Sequence, residues 1–348
     1  MQNKILAVLI GISVALAIPY RAASQSTDLQ QAMSLFRQRQ WQECVVAFAK
    51  VEHEQPGTTD ALLYQSKCQV NLGQFSEAAT ALQTYIAQHP DSEDAAYLIA
   101  YVRFRENKPK ESLQLYTDAG KLKPPTADDL KIVALDYVLL NDYADAAKYL
   151  EIAVKLDPAN TEVRYHLGRV FYQQNRFDEA IAAFQSVLKQ DSDNTKVEDN
   201  LGLSLEAKNQ TPEAISAYRK AMQLDQKSIR HTEQPYLDLG TLLIKMNQPA
   251  NAVTALSQAK EINLKSSQVR YQLGKAYFDL NRFADAQTET EEAIRLNPDE
   301  APAHYLLARI YQRVGKPEMA AEQFKLTQTL TIKAETKHAN AGMASAVQ

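Results

Sequence analysis

Almost nothing in this chain is of a kind that carries chemistry. Six histidines are scattered as His53, His89, His166, His231, His304 and His338, with no H-E-x-x-H spacing among them. A zinc site needs clustered ligands, so no metal is expected. The ten glycines stand singly, which excludes the glycine-rich loop whose amides cradle a phosphate, and no other cofactor motif is present. No serine occupies a G-x-S-x-G turn, the setting of an exposed nucleophile. A cationic excess is missing as well. Lys and Arg number 38 against 42 Asp and Glu, whereas general nucleic-acid binding wants a basic surface. With 13 prolines and 10 glycines, the chain is poor in the residues that favour disorder.

Long apolar runs are also scarce, and the one present is at the start. Lys4 precedes an uncharged run from Ile5 to Tyr20, and Ala22-Ala23-Ser24 offers small residues where a signal peptidase reads. Residues 1–24 therefore have the anatomy of a secretory signal. The apolar core from Ile5 to Ile18 is shorter than the roughly 20 residues of a spanning helix. Export to a periplasm or to the exterior is expected, the alternative being an uncleaved N-terminal membrane anchor. No cysteine follows the run, which excludes a lipoprotein anchor. Loss of Lys4 and Arg21 on cleavage would leave the mature chain more acidic.

Cysteine is limited to Cys44 and Cys68. In an oxidising compartment these could pair, or they could serve as two small buried apolar residues. Their spacing fits no metal or redox motif.

What the chain does have is a period. From Thr161 to Asn194, Leu167, Gly168 and Phe171 mark one face of a first helix, Asn175-Arg176-Phe177 breaks it, and Ala180, Phe184 and Val187 mark a second helix. Gly inside a helix costs roughly 1 kcal/mol against Ala, so Gly168 implies close packing, with Ala180 as the small residue opposite it. Phe171, Phe177 and Phe184 fill the space around them. The small residue of the second helix recurs as Cys44, Ala78, Ser112, Ala146, Ala180, Ala214, Ala252, Ala286 and Ala320. The gaps are 34 residues, except one of 38 before Ala252. Pro56, Pro90, Pro124, Pro158 and Pro298 keep the same ruler and the same insertion.

A 34-residue helix-turn-helix with small residues at its eighth and twentieth places resembles the tetratricopeptide repeat. Leu201-Gly202 with Leu205, Leu239-Gly240 with Leu243 and Leu273-Gly274 with Tyr277 match its first helix. Ala146 with Leu150, Ala214 with Tyr218 and Ala320 with Phe324 match its second. The usual Trp near the repeat start is missing, and Arg103 stands where an apolar residue is expected. The resemblance implies an all-α fold, an α-solenoid wound as a right-handed superhelix of about nine repeats. They fall at about 25–58, 59–92, 93–126, 127–160, 161–194, 195–228, 233–266, 267–300 and 301–334, with a polar flexible tail at 335–348. The insertion Ile229–Thr232 puts Arg230 and His231 in a small basic connector.

The resemblance also implies a mode of action, the capture of a protein or extended peptide in a concave groove without catalysis. Reading the outward face of the first helices at i, i+4 and i+7 gives Tyr97, Tyr101 and Phe104, then Tyr165, Arg169 and Tyr172, then Tyr271, Lys275 and Phe278. Tyr305, Arg309 and Arg313, spaced i, i+4 and i+8, follow in the last repeat. Rings for packing and cations for carboxylates or carbonyls suit peptide binding; packing on the adjacent repeat is the other use for such tyrosines. Lys131 matches the lysine of family members that grip a C-terminal carboxylate, but Leu135 replaces their Asn, so that activity is not carried over. Two alternatives are a structural subunit of a cell-envelope complex joined through its convex face or ends, and, less favoured because Trp is absent from the groove, polysaccharide binding.

Overall fold

A computed structural model describes the backbone of residues 17–57 and 60–346, with side chains for 27–57 and 60–336. Residues 1–16, which hold most of the expected export signal, lie outside the described residues. The described residues form eighteen α-helices and no strand, a solenoid of helix-turn-helix repeats.

The chain divides into two compact units, one up to Gln174 and one from Asn175. The first holds the hairpins α1 (Ala17–Arg37) with α2 (Trp41–Glu54), α3 (Ala61–Leu72) with α4 (Phe75–Gln88), α5 (Glu93–Arg105) with α6 (Pro109–Leu122) and α7 (Ala127–Leu139) with α8 (Tyr143–Leu156), and then α9 (Thr161–Gln173). The second opens with α10 (Phe177–Leu188). It continues as α11 (Thr195–Ala207) with α12 (Thr211–Asp225), α13 (Gln234–Lys245) with α14 (Pro249–Ile262), α15 (Ser267–Asp279) with α16 (Phe283–Leu296) and α17 (Ala301–Arg313) with α18 (Pro317–Ala346). The last helix runs on through the segment that the sequence suggests is a tail.

Local chemistry repeats with the period. Ser92, Thr126, Asn160, Asn194 and Ser266 each accept a hydrogen bond from the backbone N–H three residues on, capping the first helix of a repeat. The turn into the second helix always carries one left-handed residue. It is Arg39, Gly73, Asn107, Asn141, Asn175, Asn209, Asn247, Asn281 or Gly315, with φ between 57° and 76°. Asn and Gly enter that region at the least steric cost. The residue after it donates back five residues, as from Asp142 N to Tyr137 O and from Gln248 N to Leu243 O, both at 2.8 Å. This is the six-to-one bond of a Schellman motif.

All nine small places of the second helices are buried, as the period requires. Gly202, Gly240 and Gly274 of the first helices have no room for a Cβ, and the nearest group opposite each lies beyond the small residue of the second helix. A Cβ at Gly202 would stand 2.6 Å from the Tyr218 ring, one at Gly240 2.5 Å from Leu256, and one at Gly274 2.4 Å from Thr290. Those residues lie four places beyond the small one, one helical turn further along the second helix.

The first helices of successive repeats touch one another within each unit, whereas the second helices do not. The first helices therefore lie on the inner side of each stack. Cys44 and Cys68, on α2 and α3, are fully buried and joined in a disulfide with Cα atoms 6.2 Å apart. Trp41 sets its ring edgewise on Phe36 and helps to close the first hairpin. Arg103 takes its apolar place by pairing with Glu106 at 2.6 Å and Glu111 at 3.3 Å. In the inserted loop, Asp225 accepts from Thr232 N at 2.8 Å and lies 3.3 Å from His231 Nδ1. His231 thus tethers a connector, with half of its side chain still exposed.

Candidate functional site

On the inner side of the first unit, α5 and α7 stand next to each other and leave a pocket of about 540 Å³ between them. Ser92 starts α5 and a capping box of Thr126 with Asp129 starts α7, which fixes the register of both faces. Tyr97, Leu98, Tyr101, Tyr116 and Ile132 form its apolar lining.

Each ring is held. Tyr97 OH donates to Lys123 O at 2.6 Å, and its ring lies 5.9 Å from that of Tyr116. Tyr101 OH accepts from Arg105 Nη1 at 2.7 Å, and the same guanidinium lies 4.6 Å from the Phe75 ring centre. Such prior anchoring lowers the ordering cost of binding. Burial pushes the Tyr97 phenol pKa up, with the Asp129 and Glu93 carboxylates adding to it. Burial likewise raises that of Tyr116. Both therefore present neutral hydroxyls at physiological pH.

The rim is charged. Lys131, nearly buried, stands 2.8 Å from Glu162 and 3.0 Å from Asp128. Burial opposes its charge, but those two carboxylates outweigh burial and raise its pKa. The hydrogen bond from Lys67 holds the Asp94 carboxyl below its usual range.

The structure brings Tyr97 and Tyr101 together in this pocket, while Phe104 does not line it and instead lies 6.3 Å from the Tyr101 ring. On α9, Arg169 lies over the Tyr165 ring at 5.9 Å, and Tyr172 is half-buried. On α15, Tyr271 and Lys275 are half-buried, and Phe278 is in the core, with Phe283 at 5.6 Å and the Arg309 guanidinium at 4.5 Å. Phe278 is thus packed on the next repeat. On α17, Tyr305 is half exposed with its edge on Phe324, and Arg309 and Arg313 are exposed. Part of the aromatic-cation order read from the sequence therefore serves cation–π pairs inside the protein.

Tyr116 was not among the residues expected here. It sits on second helix α6, at the place held elsewhere by Phe48, Leu82, Leu150 and Tyr218, all fully buried. Its position in the repeat signals core, and only the opening beside α7 makes it part of a site. Among the described residues no group of three or more His, Cys, Asp or Glu could hold a metal ion, and no helix is long and apolar enough to cross a membrane.

Family profiles described as tetratricopeptide repeat match residues 60–92, 134–195, 199–228, 243–310 and 301–324. Comparison with curated proteins finds no match. Among solved structures, a tetratricopeptide repeat protein from Parabacteroides merdae is 15% identical with a TM-score of 0.59, covering 73% of this chain and 98% of its own. A chain of the APC/C hetero-tetramer Cut9-Hcn1 is 17% identical with a TM-score of 0.57; the match covers 81% of this chain but only 55% of that one. PilF of Pseudomonas aeruginosa is 19% identical with a TM-score of 0.53, covering 62% of this chain and 97% of its own. At these identities the likeness concerns the fold.

Proposed function

The chain belongs to the tetratricopeptide-repeat family, and from that premise we propose that it is a non-enzymatic scaffold that binds an extended protein segment between α5 and α7. The observation that carries this reading is the pocket itself, whose volume falls in the roughly 300–1,000 Å³ range of ligand sites and whose aromatic lining is fixed in advance. Two of its walls are the first helices α5 and α7, which line the inner side of the stack, so a partner chain could run along it from repeat to repeat. The triads on α9, α15 and α17 would supply further contacts, each within its own unit, chiefly through Arg169, Lys275, Tyr305 and Arg313. Export is part of the same reading. A disulfide at Cys44 and Cys68 is at home in an oxidising compartment.

The test is affinity capture of the chain's partner followed by cross-linking and peptide mapping, run beside Tyr101→Ala. Cross-links on α5 and α7 that are lost in the variant are expected. Cross-links confined to the outward faces of second helices, and unaffected by the variant, would overturn the groove reading in favour of an assembly subunit.

A further inference from the structure

The charged groups around the pocket are engaged by one another. Lys67 Nζ lies 2.8 Å from Asp94, and Lys123 Nζ lies 3.2 Å from Glu93. Lys131 is held between Asp128 and Glu162. The remaining carboxylate, Asp129, accepts from Thr126 N–H at 2.9 Å and from its hydroxyl at 2.6 Å. Two of the three phenols are hydrogen-bonded as well, Tyr97 donating to Lys123 O and Tyr101 accepting from Arg105. Three lysines face four carboxylates in the lining, so the balance is slightly negative and each lysine already has its acid. Apart from the Tyr116 hydroxyl, what the lining still offers is apolar: Leu98, Pro124, Ile132 and the faces of three tyrosine rings.

Resting on the groove reading above, we infer that the pocket takes an uncharged, apolar stretch from the interior of a partner chain, one whose seated positions carry aliphatic or aromatic side chains. A chain-terminal carboxylate would meet the negative excess and would have to draw Lys131 away from two acids. A basic side chain would lose its hydration for a carboxylate that already caps a helix. Taking the nearly buried Lys131 from both of its acids without replacing them is costly, whereas an apolar segment disturbs none of these pairs and removes its own surface from water. The pairing of Lys131 therefore acts as a filter, excluding a free carboxylate by being satisfied.

The test is selection from a displayed library of random dodecapeptides, presented with internal and with free C-terminal ends, on the full chain. Counter-selection uses Tyr101→Glu and, in case that variant is unstable, Ile132→Gln. Peptides with runs of Leu, Ile, Phe, Tyr or Pro should be enriched without any need for a free carboxylate. A synthesised hit should change its Kd less than twofold between 50 and 500 mM salt, because screening acts on exposed charges, and should weaken at least tenfold on either variant. Enrichment of acidic, basic or free-carboxylate peptides that still depend on Tyr101 and Ile132, or a tenfold loss in salt, would overturn the apolar guest and leave the groove standing. Peptides that bind the variants as well as the parent chain, or no enrichment at all, would overturn the groove reading itself.

Discussion

Asp136 lies against Ser112 at the pair of repeat places that Cys68 and Cys44 hold two repeats earlier, a first-helix residue set on the small residue of the preceding second helix. The Ser112 hydroxyl is given to Ala100 O at 3.0 Å, and both Asp136 oxygens are buried without a hydrogen-bond partner. Burial raises the Asp136 pKa to about 7, with Ser112 opposing the shift. A carboxyl with a raised folded-state pKa binds its proton more tightly folded than unfolded. Its contribution is fully present below the unfolded value and is lost as pH rises through about 7. The first unit should therefore melt lower at pH 8 than at pH 5. Asp136→Val, which restores the residue type of Val102 and Val170 at the same place, should flatten that slope. It should stabilise the unit at pH 8 by roughly 1–3 kcal/mol, the range for a buried polar group without a partner. Thermal melts of both proteins across this pH range, with no difference in slope, would count against the assignment.

The glycines separate by what stands opposite them. Gly202→Ala would drive a methyl into the Tyr218 ring, whose hydroxyl is fixed to Glu206 at 2.9 Å and cannot easily swing away. Overpacking of this kind costs about 1–3 kcal/mol. Gly120, exposed on α6, would have nothing within 4 Å of an added Cβ, so Gly120→Ala should stabilise by roughly 0.5–1 kcal/mol. Urea unfolding of the two variants should move in opposite directions, and like shifts would refute the packing scheme.

The fold was legible because two independent sets of residues, small and proline, keep one period and share one insertion. Two further rulers run through the same sequence less visibly, the capping series from Ser92 to Ser266 and the left-handed series from Arg39 to Gly315. Asn is common in turns of every kind, and only coordinates show that these asparagines share one conformation. The site was less accessible. Spacing placed Tyr97 and Tyr101 on an inner face, but it could not show that Phe278 is covered by Arg309 of the next repeat, because that depends on how two hairpins meet. Nor could it distinguish Tyr116, which borders an opening, from Tyr218, which does not. Asp136 was invisible for a related reason, since what it meets, Ser112, is on the preceding helix and not on its own.

The left-handed turn residue predicts a graded series. Arg39 is the one member that is neither Asn nor Gly, so Arg39→Gly should relieve steric strain and stabilise by up to about 1 kcal/mol, offset in part by the chain entropy of glycine. Asn247→Val introduces a β-branched side chain at φ 57° and should cost roughly 1–2 kcal/mol. Equal denaturation midpoints for the parent and Asn247→Val would show that the turn tolerates another conformation.

The disulfide closes a loop of sequence separation 24, so its effect is mainly on the unfolded chain. Loop-closure arguments put the stabilisation at about 3 kcal/mol. In a repeat array each hairpin is coupled chiefly to its neighbours, which confines the consequence. Replacing Cys44 and Cys68 together by Ala, a residue found buried at the first of these places in later repeats, keeps the packing small while removing the bond. Hydrogen exchange should then accelerate in α1 to α4, with α5 onward changing much less. Because both sulfurs lie in residues with no exposed surface, the folded parent should resist mild reductant until α2 and α3 separate. Protection that falls equally along all nine repeats would mean that the array unfolds as one body, and the picture of independent hairpins would have to be given up.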